Sequence, residues 1–453
     1  MRRAGLFLIL RRGLAVFGLA FGLISFAAAD NEWDQEGQAL SQDCSASAGL
    51  AALAKSCATF LFHDGKPIRL STPTSVVPGG GTAVGAVYIQ PLDIHNWAES
   101  NLTVEGGSSL RQFWYGNAVA TFNHRKWGGD WNTARDAFQL KIYSHARGLP
   151  QMPFYGIGPD TSRSNLTDFR QHDVSAGVSV FNPLQSWLAV GGSVEFLLTK
   201  VGGDYASDVH SIDGLYSDAT APGLGHQPSF MHYTAFAQPR GSWSRTRIDS
   251  RIGYDFYQDA GSGRYSTRKF RADYLQKIYP ETQSEPTGGA GGGTRRQTKY
   301  DSVLYIAGRF TSETAAAGNV VPFYLQETIG GSDIDGVSTL RGFQDYRFRG
   351  PDLFVIQVQY ERRLLPPAPQ GAKASTLRSV AGALGIMGFY DAGEVALRAS
   401  DLNFSNVRQS FGFGLTFWSG EKVWFRAYVG LGSGEGLHNF VGLSDPSAQS
   451  PHL

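Results

Sequence analysis

The chain has 453 residues, 40 of them basic and 39 acidic, so its formal charge of +1 provides no field to select a nucleic acid. Charged residues make up 17%, below the roughly 25% of ordinary soluble domains. Aromatics make up 13% and there are 56 glycines, which excludes a chain dominated by charged, solvated helices and favours sheet with part of its surface out of water.

Taken in chain order, Arg2, Arg3, Arg11 and Arg12 precede an apolar run from Gly13 to Phe26, and Ala27-Ala28-Ala29 then offers a small-residue cleavage site. This predicts a signal peptide over residues 1–29. The run is too short for the roughly 20 residues of a spanning helix, and no later run approaches that length, so a helical membrane protein is excluded. Residues 30–82 form a short polar leader ending in "SVVPGGGTAVG", which reads as a junction. Cys44 and Cys57 bracket a small-residue segment of this leader and could form one disulfide in an oxidising compartment. Their spacing fits no zinc site.

From 83 to 444 the pattern alternates with period two. In 406–417, Val407, Phe411, Phe413, Leu415 and Phe417 share one face, with Arg408, Ser410, Gly412, Gly414 and Thr416 on the other. In 423–431, Val423, Phe425, Ala427, Val429 and Leu431 oppose Trp424, Arg426, Tyr428 and Gly430. Strands are expected near 84–92, 112–124, 136–145, 170–181, 186–200, 229–238, 246–257, 264–279, 301–311, 321–329, 353–364, 382–392, 406–417, 422–432 and 437–444. The segments 146–168, 201–228 and 280–298 read as loops, and 445–453 as a tail. A secreted sandwich would also alternate. Many of these segments, however, exceed the 5–6 residues of soluble strands and reach the 9–11 of a tilted membrane strand. Aromatics cluster near segment ends, as interfacial girdles do. The expected fold is all-β, a transmembrane antiparallel β-barrel of about 16 strands embedded in a lipid bilayer.

In "LFVIQVQYERRL" (353–364), Gln357, Gln359, Glu361 and Arg363 share the face opposite Phe354, Ile356, Val358 and Tyr360. In "LGIMGFYDAG" (384–393), Phe389, Asp391 and Gly393 share a parity. Two strands thus aim carboxylates at one lumen, where an unpaired charge is costly. The connection 330–352 carries Arg341, whose five donors suit two acids. Two placements fit these residues: a loop folded into the lumen with Arg341 bridging Glu361 and Asp391, or a solvated arginine on the surface. In the first, Gly342 permits a tight backbone and Phe343 packs on the wall.

"GGSDIDGVSTLRGF", "QYERRL" and "GFYDAGEV" follow one another as in the BamA/TamA outer-membrane assembly barrels, the bacterial surface antigen family, which this chain resembles over roughly 320–444. The resemblance implies that Arg341-Gly342-Phe343 is the motif of a sixth extracellular loop that enters the lumen. It likewise implies that Glu361 is an acid of the twelfth strand, and that Phe389, Asp391 and Gly393 form the F-x-D-x-G motif of the thirteenth. The family's transporters carry periplasmic POTRA domains, for which residues 30–80 show no βααββ pattern. Family barrels often end in an aromatic residue, whereas here Phe440 is followed by "VGLSDPSAQSPHL".

The function expected from the resemblance is assistance to insertion or translocation of unfolded outer-membrane proteins, or lipids, at a bacterial outer membrane. The alternative is a passive pore or surface-exposed binding barrel that keeps the fold alone. Neither reading involves a cofactor or metal. No H-E-x-x-H, G-x-S-x-G or phosphate loop is present, "GLGSGEG" (430–436) lacking the Lys-Ser/Thr that a phosphate loop needs, so an enzyme is not expected.

Overall fold

A computed structural model describes residues 68–71, 77, 79–81, 83–94, 97–124, 138–203, 209–243, 245–280, 282–288, 294–365, 382–403, 405–419 and 422–442. The signal peptide, Cys44 and Cys57, nearly all of the leader, and the tail lie outside the described residues. The chain divides into two units, Met1–Leu70 and Ser71–Leu453, and the second carries nearly all of the strands.

The strands are β1 (Ile68–Ser71), β2 (Ala83–Ile94), β3 (Trp97–Ser109), β4 (Trp114–His124), β5 (Phe138–Phe154), β6 (Thr167–Gln185), β7 (Leu188–Gly203), β8 (Ser229–Trp243), β9 (Thr246–Asp259) and β10 (Thr267–Ile278). They continue as β11 (Thr282–Gly288), β12 (Thr294–Tyr300), β13 (Ser302–Ala315), β14 (Glu327–Ile329), β15 (Phe348–Gly350), β16 (Asp352–Arg363), β17 (Leu384–Ala396), β18 (Arg408–Ser419), β19 (Lys422–Gly432) and β20 (Gly436–Gly442). One antiparallel sheet of sixteen strands carries most of them, in the order of the chain from β1 to β10, then β13, β16, β17, β18, β19 and β20. Counted from β1, β16 is the twelfth wall strand and β17 the thirteenth. The two remaining pairs, β11-β12 and β14-β15, are small separate ladders within connections.

The outward face is apolar and exposed. Val358, Tyr390, Phe411 and Leu431 lie side by side across β16 to β19, and Val178, Val194 and Tyr233 across β6 to β8. Phe411 is 58% exposed and Phe413 71%, while Ser410 and Thr416 on the same strand are fully buried. A sheet with its hydrophobic side out and its polar side in suits a hydrocarbon surround.

The sheet curls around its polar face. Arg163 of the β5-β6 connection donates to the Glu435 carbonyl in the β19-β20 turn (3.2 Å), and Arg408 of β18 donates to the Pro159 carbonyl (3.1 Å). Strands near opposite ends of the sheet order are thereby brought together, giving the barrel. Among the described residues no ladder joins β1 to β20.

Four expectations need correction. Residues 321–329 are not a wall strand. They form a 3-10 turn at Phe323–Leu325 and then β14, which pairs with β15 inside the connection. Their apolar residues Phe323, Tyr324 and Ile329 pack on other side chains rather than lipid. Strand β3 lies outside the expected segments because "WAESNLTVEGGSS" has scarcely any apolar alternation. The expected loop 146–168 begins as strand, since β5 runs to Phe154, and 280–298 contains the β11-β12 hairpin.

Candidate functional site: a loop seated in the lumen

The connection from β13 to β16 turns inward, and 327–350 is largely buried. Arg341 lies in its buried part and Asp391 on the inner face of β17. Arg341 Nε donates to Asp391 Oδ2 (2.9 Å), Nη2 to Oδ1 (2.5 Å), and the Arg341 backbone N–H also to Oδ2 (3.0 Å). This two-pronged geometry is the one a planar guanidinium gives with a carboxylate. Ser410 Oγ of β18 donates to Oδ2 (3.2 Å). The Arg341 guanidinium lies 3.8 Å from the Phe389 ring centroid, a favourable cation–π placement.

Glu361 does not pair with Arg341. It is held by Arg426 of β19, through Nε to Oε1 (2.7 Å) and Nη2 to Oε2 (3.3 Å). Gln359 lies between the two pairs: its Oε1 accepts from Arg341 Nη1, and its Nε2 donates to Glu361 Oε1 (2.6 Å). Two arginines and two carboxylates thus form a neutral buried quartet joined by an amide. The expected single bridge fails because a second lumenal cation is available. Arg426 was legible as the sole cation on the inner parity of 423–431, and Gln359 shares the parity of Glu361.

Gly342 and Phe343 fill different gaps. A Cβ at Gly342 would collide with the backbone of Leu431 and Gly432, and one at Gly430 would lie 2.7 Å from the Arg341 carbonyl oxygen. Gly342 is therefore required for close approach of loop to wall, not for a left-handed φ. The glycines of "GLGSGEG" that face the loop share this role. Phe343 packs with Phe348 at 5.5 Å, in a cluster with Leu353, Val355 and Val395 of the wall. A Cβ at Gly393 would meet the Phe354 carbonyl (2.9 Å) and press on Ile329 (3.4 Å), so this glycine admits the loop's own strand β14.

A second set of contacts, absent from the sequence expectations, holds the loop on β10 and β13. Arg309 Nη1 donates to Asp333 Oδ2 (2.6 Å) and Nε to Asp273 (2.9 Å). Lys269 and Arg271 reach Glu327 at 3.2 and 3.4 Å. Burial alone would push the Glu327 carboxyl up, but Lys269, Arg271 and Arg309 together hold it below the usual range. For Asp333 burial prevails over Arg309 and raises it to about 6. Burial likewise raises Asp345 to about 6, against the Ser332 N–H that donates to it.

A third set closes the loop end. Arg347 pairs with Glu435 and donates to the Thr161 hydroxyl (2.9 Å) and carbonyl (2.7 Å). Phe154, Phe169, Phe230 and Phe323 pack together there. The loop is therefore tied to two sectors of the wall and, at its end, to the β5-β6 connection and the β19-β20 turn.

No family model matches the chain, and no curated protein does. Among solved structures it is similar to BamA from Haemophilus ducreyi lacking POTRA domains 1-3, at 13% identity over 86% of this chain and 77% of that one, TM-score 0.48. It is also similar to CdiB from Acinetobacter baumannii, at 11% identity over 78% of this chain and 53% of that one, TM-score 0.44. For CdiB from Escherichia coli the figures are 11%, 84%, 61% and 0.43. The chain thus spans only 53% and 61% of the two CdiB lengths.

Proposed function

We propose that this protein is a bacterial outer-membrane barrel of the BamA/TamA type, exported by a cleaved signal peptide, that assists proteins or lipids to enter or cross that membrane. The observation that carries this reading is the seated loop. A passive pore needs a water-filled lumen, whereas here the lumen is occupied by a connection tied down through Arg341-Asp391 and Arg309-Asp333. The motif residues named by the resemblance supply part of that seat: Arg341, Gly342 and Phe343 from the loop, and Phe389, Asp391 and Gly393 from β17. A loop so seated favours work at the wall or its edge over conduction through the centre. The test is depletion in the native cell: levels of several unrelated outer-membrane barrels should fall together, and unchanged levels would contradict the reading.

A further inference from the structure

A groove of about 640 Å³ lies on the barrel between β9, β10, β13 and β16. Ala272 and Gly308 are small residues on its floor, and Ser250 and Ala399 also line it. Ile252, Tyr274, Phe310 and Ile356 also line it, and all four are exposed on the apolar belt. Leu402, from the connection after β17, lines its end nearest the loops. The groove therefore opens to hydrocarbon, not water. Burying a chain there gains little hydrophobic free energy, because lipid tails are already apolar. It gains instead the dispersion contacts that a dent in the wall otherwise lacks.

Polarity at the loop end supplies a direction. Arg268 is exposed and stands on the outward parity of β10, four residues above Ala272, or about 13 Å along the strand. Arg398 is exposed in the connection that carries Leu402. A cation on a lipid-facing strand is costly unless it meets an anion at the interface. Phosphate is the anion that the bilayer offers there.

We propose that this groove retains one acyl chain of lipid A, with a lipid A phosphate on Arg268 and Arg398. The choice of lipid rests on the outer-membrane reading above, which turns the loop end toward the lipopolysaccharide leaflet. Gly308→Trp provides the test, because a Cβ at Gly308 has only the Val355 carbonyl at 3.7 Å and a larger side chain enters the groove without meeting backbone. The full chain would be reconstituted in nanodiscs of phosphatidylethanolamine and phosphatidylglycerol doped with lipid A, re-extracted, and weighed by native mass spectrometry. The unaltered protein should retain one lipid A. Gly308→Trp and Arg268→Glu should each lower that fraction about tenfold, a shift of one decade in affinity, while heat-modifiable mobility reports the same folded barrel. Equal retention in both variants overturns the proposal, as does retention of phosphatidylglycerol in place of lipid A. Failure of the outer-membrane reading would show separately, as the protein appearing outside the outer-membrane fraction when the cell's membranes are separated by density.

Discussion

Replacing Arg341 by alanine would leave Asp391 fully buried with its strongest donor gone, a loss of about 3–5 kcal/mol for a broken buried pair. The heat-modifiable band of the folded barrel should disappear at a lower temperature. Arg341→Lys should restore little of this, since an ammonium cannot span both Asp391 oxygens and Gln359 together. Glu361→Gln should behave like Arg426→Gln and couple strongly to it in a double-mutant cycle. Its coupling to Arg341 should pass through Gln359 and vanish in a Gln359→Leu background. Asp345 gives a pH signature. Its carboxyl is raised to about 6 in the fold and sits near 3.9 in an unfolded chain, so the folded state binds the extra proton. The stability this contributes is fully present below pH 4 and is lost as pH rises through 6. Asp345→Asn should accordingly raise the melting temperature at pH 7.5 and leave it unchanged at pH 4. Much of this residue-level arrangement could be read from parity: Glu361, Asp391, Gln359 and Arg426 all fall on inward positions. Which arginine meets which acid could not, because that depends on how closely the loop backbone approaches β19, and hence on Gly342, Gly430 and Gly432 together.

The connection between β13 and β16 behaves as one element clamped at both sides. Arg309→Ala would remove the donor to Asp333 and one of the cations around Glu327, leaving Lys269 and Arg271 in place. Limited proteolysis should then cut near the exposed Asp335-Gly336 while Arg341 keeps its seat, and Arg309→Ala with Arg341→Ala should free the stretch from Asp333 to Arg341 while Arg347 still holds the loop end. If protease sensitivity is the same in the single and double variants, the two clamps are not independent. None of the β10-β13 clamp was foreseen, since Lys269, Arg271 and Arg309 read as ordinary inward charges until the loop's Glu327 and Asp333 are brought against them. The 321–329 error has the same origin: a short apolar run inside a barrel is buried by the lumen's own contents, and alternation alone cannot tell that environment from lipid. The long strands β16 to β19 were legible because each has one apolar and one polar face over ten or more residues.

At the scale of the molecule, a sixteen-stranded sheet curls around a polar face on which its own connection is seated. The belt outside and the charges inside follow from one alternating pattern, inverted relative to a soluble sandwich. Seating a loop rich in charge inside the sheet is stable because its buried charges have partners: Arg341, Asp333 and Glu327 meet opposite charges on the wall, Arg347 meets Glu435 in the β19-β20 turn, and Arg349 donates to the carbonyls of Phe323 and Gln326. The measurement that bears most directly on this account is single-channel conductance of the purified protein in planar bilayers. A seated loop predicts no large steady pore in the unaltered protein, and frequent wide openings when Arg309→Ala and Arg341→Ala are combined. A large, steady conductance in the unaltered protein, insensitive to both substitutions, would contradict it.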